Sequence, residues 1–298
     1  MAPPIESSQG NASGALAPSA KSAARGGRRG RGSVTQPGED SRGMLILKST
    51  LPPFVIVLIL LGAWQLGSED GTLPSYIFPP PTAVVKELFK QPGLFWENAE
   101  TTLTEIFLGG AIGIVFGFVI GSLIAMSRVL RAAFYPLVVA SQSVPILALA
   151  PLLILWLGFG IEPKIVIVVQ IVFFPVTVAA IQGLSTVDPA IMVFGHSLGA
   201  SKWELFWKVR FPSMLPYLFA GLKISLSYAA IAAVIAEYIG ATSGLGALMS
   251  RANSGYETNV LVASVFLVTL IGLLLFVATV IIERRVIPWH RRAPTKAR

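Results

Sequence analysis

Of the 298 residues, 54% are hydrophobic and 13% are charged, and the net charge is +8. Soluble domains carry roughly a quarter of charged residues, so this composition excludes an ordinary soluble fold of this size and predicts a membrane protein, which the long apolar runs taken below make an all-α integral one. Cysteine is absent, which excludes disulfides, thiolate metal sites and cysteine nucleophiles. His196 and His290 stand far apart in no metal-binding spacing, and no G-x-x-x-x-G-K-[ST] segment occurs, so any ATP must be handled by a partner.

Residues 1–43 are rich in Gly, Ser, Ala and Pro and carry Arg25, Arg28, Arg29 and Arg31, so a disordered basic tail is expected there. The folded part is read as residues 44–287, with a second basic tail over 288–298. The first predicted span, 51–66, is short of the ~20 residues that cross a bilayer and has Pro52 and Pro53 at its helical start. No small-x-small cleavage site follows it, which speaks against a signal peptide. A surface helix is expected over 82–89. The second span, 101–126, places Gly109, Gly113, Gly117 and Gly121 on one helix face, where another backbone can approach closely.

The third apolar run, 134–157, is interrupted by Pro136, Pro145 and Pro151, with Ser141, Gln142 and Ser143 between them. Such breaks are tolerated where a segment is buried in protein or lines a cavity. Together with Gln170 of the fourth span, 165–181, these residues are the expected lining of a solute path. The fifth span, 217–239, carries Ala229, Ala230, Ala232, Ala233 and Ala236 on its faces and Glu237, read as the only acid well inside an apolar stretch. Glu237 has two readings, a hydrogen bond to a neighbouring helix or a contact of the path. A small loop, TSGLG and then RANSGYETN, leads from the fifth span to the sixth, 260–282. All 23 Lys and Arg except Lys86, Lys90, Lys164 and Arg251 fall on the side of the termini, which the positive-inside rule makes cytoplasmic.

Residues 188–216 are the long water-compatible interruption of the second half. Asp188 before Pro189 reads as an N-cap, Gly199 as a helix stop, and Ser201 with Glu204 as a capping box opening a second helix that Pro212 ends. That helix sets Trp203, Leu205, Phe206, Trp207 and Val209 against Lys202, Glu204, Lys208 and Arg210. So much apolar area implies either an interfacial helix among lipid headgroups or a docking element for another protein.

Gly199 followed by Val209-Arg210-Phe211-Pro212 matches the spacing G-x9-I-x-L-P, with Val193-Phe194-Gly195 standing where that pattern usually has Glu-Ala-Ala. In this the chain resembles the permease subunits of binding-protein-dependent ABC importers. From about residue 51 to 289 it is similar to their nitrate, sulfonate and taurine branch, which includes permeases for pyrimidine precursors of thiamine. The resemblance implies six spans in a type I importer permease fold with cytoplasmic coupling helices, in the cell membrane. It implies an ATPase-coupling role for Gly199, Ser201, Trp203, Glu204, Phe206, Trp207, Val209 and Pro212. The implied partners are two ATPase subunits that bind ATP and magnesium, an extracellular binding protein and a second permease chain forming a homodimer. The glycine face of span two and the alanine face of span five are expected to serve that pairing. No enzyme activity, cofactor, metal or nucleic acid is expected of this chain itself. The rival reading is a secondary transporter with Glu237 as a proton or ion site, which internal inverted repeats and several buried charges would favour.

Overall fold

The computed structural model describes residues 39–289, with side chains from Leu51 onward. The expected N-terminal tail therefore lies outside the described residues up to residue 38, and the C-terminal tail beyond Trp289. The chain divides into two units, residues 1–56 and 57–298. Of the first, only the leading part of α1 (Glu39–Glu69) is described, and Pro52 and Pro53 fall inside that helix, not at its start. From Val57 to Leu61 its side chains stay exposed, and near its end Gln65 bonds the backbone and hydroxyl of Thr82 at the head of α2 (Pro81–Lys90).

The second unit is built on α3 (Pro92–Met126), α6 (Glu162–Ser185), α9 (Phe211–Gly240) and α11 (Thr258–Val286). Each of them overshoots its apolar run. α3 starts nine residues before 101 because its first turns are amphipathic, burying Phe95, Asn98, Ala99, Thr102, Glu105 and Ile106 at helical spacing. The glycines decide how α6 lies on α3. A Cβ at Gly117 would sit 2.7 Å from the Phe173 carbonyl oxygen, and one at Gly121 2.7 Å from that of Thr177. Only glycine permits this approach, and α6 fills the groove. The alanines of α9 are buried against Ile106, Val168, Val172 and Val176 in the main core. Both small-residue faces are thus consumed within one chain, which corrects the expectation that they remain free for a second copy.

The proline-broken run is two helices, α4 (Arg128–Ser141) and α5 (Ile146–Leu157), bent by 94°. Pro145 disfavours a helical Val144 and stands as the N-cap of α5, while Pro136 and Pro151 stay inside their helices. Counting this pair as one, the described residues hold six candidate spans. The segment between α9 and α11, expected as a loop, contains α10 (Leu245–Ser254), of which Leu245, Gly246, Ala247, Leu248, Met249 and Ala252 are buried. Its small residues and glycines give little hydropathy signal.

If close backbone approach is what holds α3 to α6, adding one methyl in the groove is destabilising, by about 1–3 kcal/mol for overpacking. Gly117→Ala should lower the melting temperature in detergent, and Gly62→Ala, with nothing within 4 Å of the new methyl, should leave it unchanged. Equal melting temperatures for the two variants would refute this.

Candidate functional site

Three consecutive features build the 188–216 knob. Asp188 Oδ1 accepts the Ala190 N–H at 2.8 Å and Pro189 occupies the first turn, which starts α7 (Pro189–Ser197). Gly199, at φ +84°, ends it: its N–H donates to the His196 carbonyl and the Ala200 N–H to that of Gly195. Ser201 Oγ then accepts the Glu204 N–H at 3.2 Å while Glu204 Oε2 accepts the Ser201 N–H at 3.0 Å, opening α8 (Lys202–Leu205). The Glu204 carboxyl is held below its ordinary value of 4.5, first by the Ser201 backbone, then by the Ser201 hydroxyl and Lys208. Leu205, buried, lies against Gly195, where a Cβ would collide with it.

Pro212 does not end the second helix. A π turn over Phe206–Arg210 passes into α9, and Pro212 sits in the first turn of α9. The wider turn, in which the Phe211 N–H reaches the Phe206 carbonyl, lets the helix continue past the proline, whose missing N–H falls in the first turn of α9. The knob is therefore continuous with α9 from Lys202 to Gly240. Aromatic contacts extend it inward: Trp203 to Trp207 at 5.5 Å, Trp207 to Phe211 at 4.9 Å, and Phe211 to Phe118 of α3 at 6.3 Å. Trp203 and Trp207 are exposed, while Phe206, Val209 and Pro212 are half-buried.

The residues expected to line a path separate into two places. Ser141 ends α4, its carbonyl accepts from Gln170 Nε2 at 3.3 Å, and exposed Gln142 and Ser143 follow in the break before α5. Glu237 is elsewhere and fully buried. Its Oε1 accepts from the Thr102 hydroxyl and its Oε2 from the Gly246 N–H, both at 2.7 Å. Thr102 Oγ1 accepts the Leu245 N–H at 2.9 Å, and Asn98 Oδ1 accepts the Gly244 N–H at 3.0 Å. The free N–H groups at the start of α10 are thus capped by side chains of α3 and α9, not by local ones. One turn on, buried Glu105 pairs with Lys164 of α6 at 2.7 Å.

Glu237 is therefore not the only acid within an apolar segment; Glu105 lies inside the second predicted span. Asn98, Thr102 and Glu105, at spacings of four and three, form a polar stripe on one face of α3 that the sequence reading passed over. That spacing was the available signal. The stripe, Lys164 and Glu237 together tie four helices at the end of the bundle away from the knob. Among the described residues no group of three His, Cys, Asp or Glu is placed to hold a metal.

Residues 113–288 match the family described as binding-protein-dependent transport system inner membrane component. A protein of Haemophilus influenzae described as a probable ABC transporter permease is 40% identical over 226 residues, 76% of this chain and 92% of that one. The formylaminopyrimidine transport permease ThiX of Halalkalibacterium halodurans is 32% identical over 81% of this chain and 97% of its own. The methionine ABC transporter MetNI, in an inward-facing form, shares the fold at a TM-score of 0.59 with 21% identity, over 66% of this chain and 98% of that chain. With a family match over more than half its length and relatives above 30% identity along three quarters of it, the chain belongs to the inner-membrane permease components of binding-protein-dependent ABC transport systems.

Proposed function

We propose that two copies of this chain form the membrane pore of an importer for a small organic solute, pyrimidine-like or sulfonate-like. In this reading the knob faces the cytoplasm and seats in a cleft of the ATPase subunit. Two ATPase copies bind ATP and magnesium, and an extracellular binding protein delivers the solute. The observation that carries the reading is the build of the knob: capped at three points, aromatic on its exposed side and continuous with α9. An interfacial helix lying in headgroups needs no such rigid connection to a spanning helix. The charge count along the sequence supports the orientation, since all Lys and Arg but four fall in segments assigned to the side of the termini and the knob. Both termini are cytoplasmic in the same reading.

Of the path residues, Gln142 and Ser143 carry the proposal, with Ser141 and Gln170 shaping the break they occupy. The several buried charges that would favour an ion- or proton-coupled transporter are present in Glu105, Lys164 and Glu237, but Glu105 and Lys164 are paired with each other and both Glu237 oxygens are bonded in the clamp on α10; the family match weighs against that rival. The similarity to a formylaminopyrimidine permease supports the flat heterocycle; the resemblance to the sulfonate and taurine branch supports the anion. Because the glycine and alanine faces are occupied, pairing with a second copy must use other surfaces.

Gly199→Val should penalise the left-handed helix stop and turn α8 away, since the Gly199 site has free space but a positive φ. Uptake should fall at least ten-fold with insertion unchanged and capture of the ATPase lost; wild-type uptake in this variant would sink the docking role. The lowered pKa of Glu204 means that its cap is complete at and above pH 4.5 and is lost as pH falls through the lowered value. The difference in ATPase capture between wild type and Glu204→Ala should accordingly be constant from pH 8 to 5, and narrowing within that window would contradict the assignment. Native mass measurement of the complex should find two permease chains, and reconstituted vesicles should import an aminopyrimidine or taurine. A stable, transport-competent complex with one permease chain, or one importing nitrate alone, would overturn the proposal.

A further inference from the structure

The outward faces of the long helices differ in chemistry. α11 turns Phe266, Leu270, Leu273, Leu274 and Val277 outward, and α3 turns Phe107, Ile112, Val115 and Val119, as contact with hydrocarbon requires. α9 packs against α3, α5, α6, α10 and α11 and leaves one strip uncovered. On it Tyr217, Ile224, Tyr228, Ile231 and Tyr238 are exposed. At 3.6 residues per turn they fall within an arc of about 80°. Three of the chain's six tyrosines stand on this strip.

Two of them have an ordinary explanation. Tyr217 and Tyr238 are about 31 Å apart along the axis, the separation of the two aromatic belts of a bilayer. Tyr228 lies between them, about 16 Å from one and 15 Å from the other, and is 54% exposed. In lipid its hydroxyl would face hydrocarbon at mid-depth, where an unmet polar group is costly. Among the described residues the side-chain hydrogen bonds of α9 run through Ser213, Ser225, Ser227 and Glu237, and none reaches the Tyr228 hydroxyl.

The depth of Tyr228 coincides with the broken span. Ser225 Oγ reaches the Val172 carbonyl at 3.5 Å, and α6 and α9 run antiparallel, so Tyr228 stands level with about residue 169. Gln170 beside that level holds the Ser141 carbonyl, and Gln142 and Ser143 are exposed directly after it. Exposed polar groups of two separate elements thus share one layer. The nearest cation on α9, Lys223, is paired with Glu283 at 2.7 Å, so its charge is already neutralised.

We propose that Tyr228 is a specificity-determining residue of the solute path, offering its ring face and hydroxyl at mid-membrane to a planar, hydrogen-bonding solute of pyrimidine-like chemistry. This rests on the importer reading above and narrows its solute. Ile224 and Ile231, one turn to either side, extend the ring into an apolar platform suited to a flat heterocycle. A sulfonate finds no free cation on this strip.

The complete complex of permease, ATPase and binding protein, in proteoliposomes, tests this through uptake of a radiolabelled aminopyrimidine and of taurine, with ATP hydrolysis read on the same samples. Tyr228→Leu should reduce aminopyrimidine imported per ATP hydrolysed at least ten-fold while binding-protein-stimulated hydrolysis stays within two-fold of wild type. Tyr228→Phe should reduce the same ratio about three-fold, and Tyr238→Leu should leave it unchanged. A wild-type ratio in both Tyr228 variants overturns the proposal, as does loss of hydrolysis and uptake in parallel in Tyr228→Phe, which would make Tyr228 a packing residue. Wild-type import of taurine without aminopyrimidine overturns the planar solute here and leaves the importer reading standing. Import of neither removes both.

Discussion

A backbone that enters a bilayer must find partners for every N–H and C=O within the protein, and the irregular parts of this chain are arranged by that requirement. Where α10 starts, its N–H groups are met by Asn98, Thr102 and Glu237. Where α4 stops, the Ser141 carbonyl is met by Gln170. Where Pro212 would interrupt α9, a π turn lets the helix continue past it. In each case a polar side chain or a shifted helical register replaces water, and in the first two the replacement also joins elements distant in sequence.

The clamp at α10 shows how such satisfaction becomes architecture. Glu237 and Thr102 bond each other as well as the α10 backbone, so α3, α9 and α10 are fixed by one connected set of hydrogen bonds. Glu105 with Lys164 brings α6 into the same region. Buried ion pairs of this kind are weak sources of net stability, because desolvation offsets most of the attraction, but removing one partner is expensive. Their effect is to make alternative packings of four helices unfavourable.

The parts of this fold carried by local signals were legible in the sequence. Asp188, Gly199 and the Ser201–Glu204 pair announce the knob, because capping depends on neighbours within a few residues. The four glycines announce a close approach, though their partner is α6 and not a second chain. Features that depend on partners far along the chain were not legible. α10 is held by side chains about 140 residues upstream in α3, so its own small residues read as a loop. Glu237 looked exceptional because Glu105 and Lys164, which share its surroundings, lie in other spans. Pro212 read as a helix stop since a π turn leaves no mark in hydropathy.

The unbroken run from Lys202 to Gly240 has a mechanical side. Its 39 residues extend about 58 Å at 1.5 Å per residue, long enough that each degree of tilt about the knob displaces the opposite end by about 1 Å. Glu237 sits three residues from that end and is bonded to the backbone of α10 through a 2.7 Å contact. A stretch of about 1 Å takes such a contact past the roughly 3.2 Å at which N–H···O hydrogen bonds end. A rotation of a degree or two at one face of the membrane must therefore either carry α10 and α3 along with α9 or part them at the other, which makes this helix a lever whose load is the Glu237 bond.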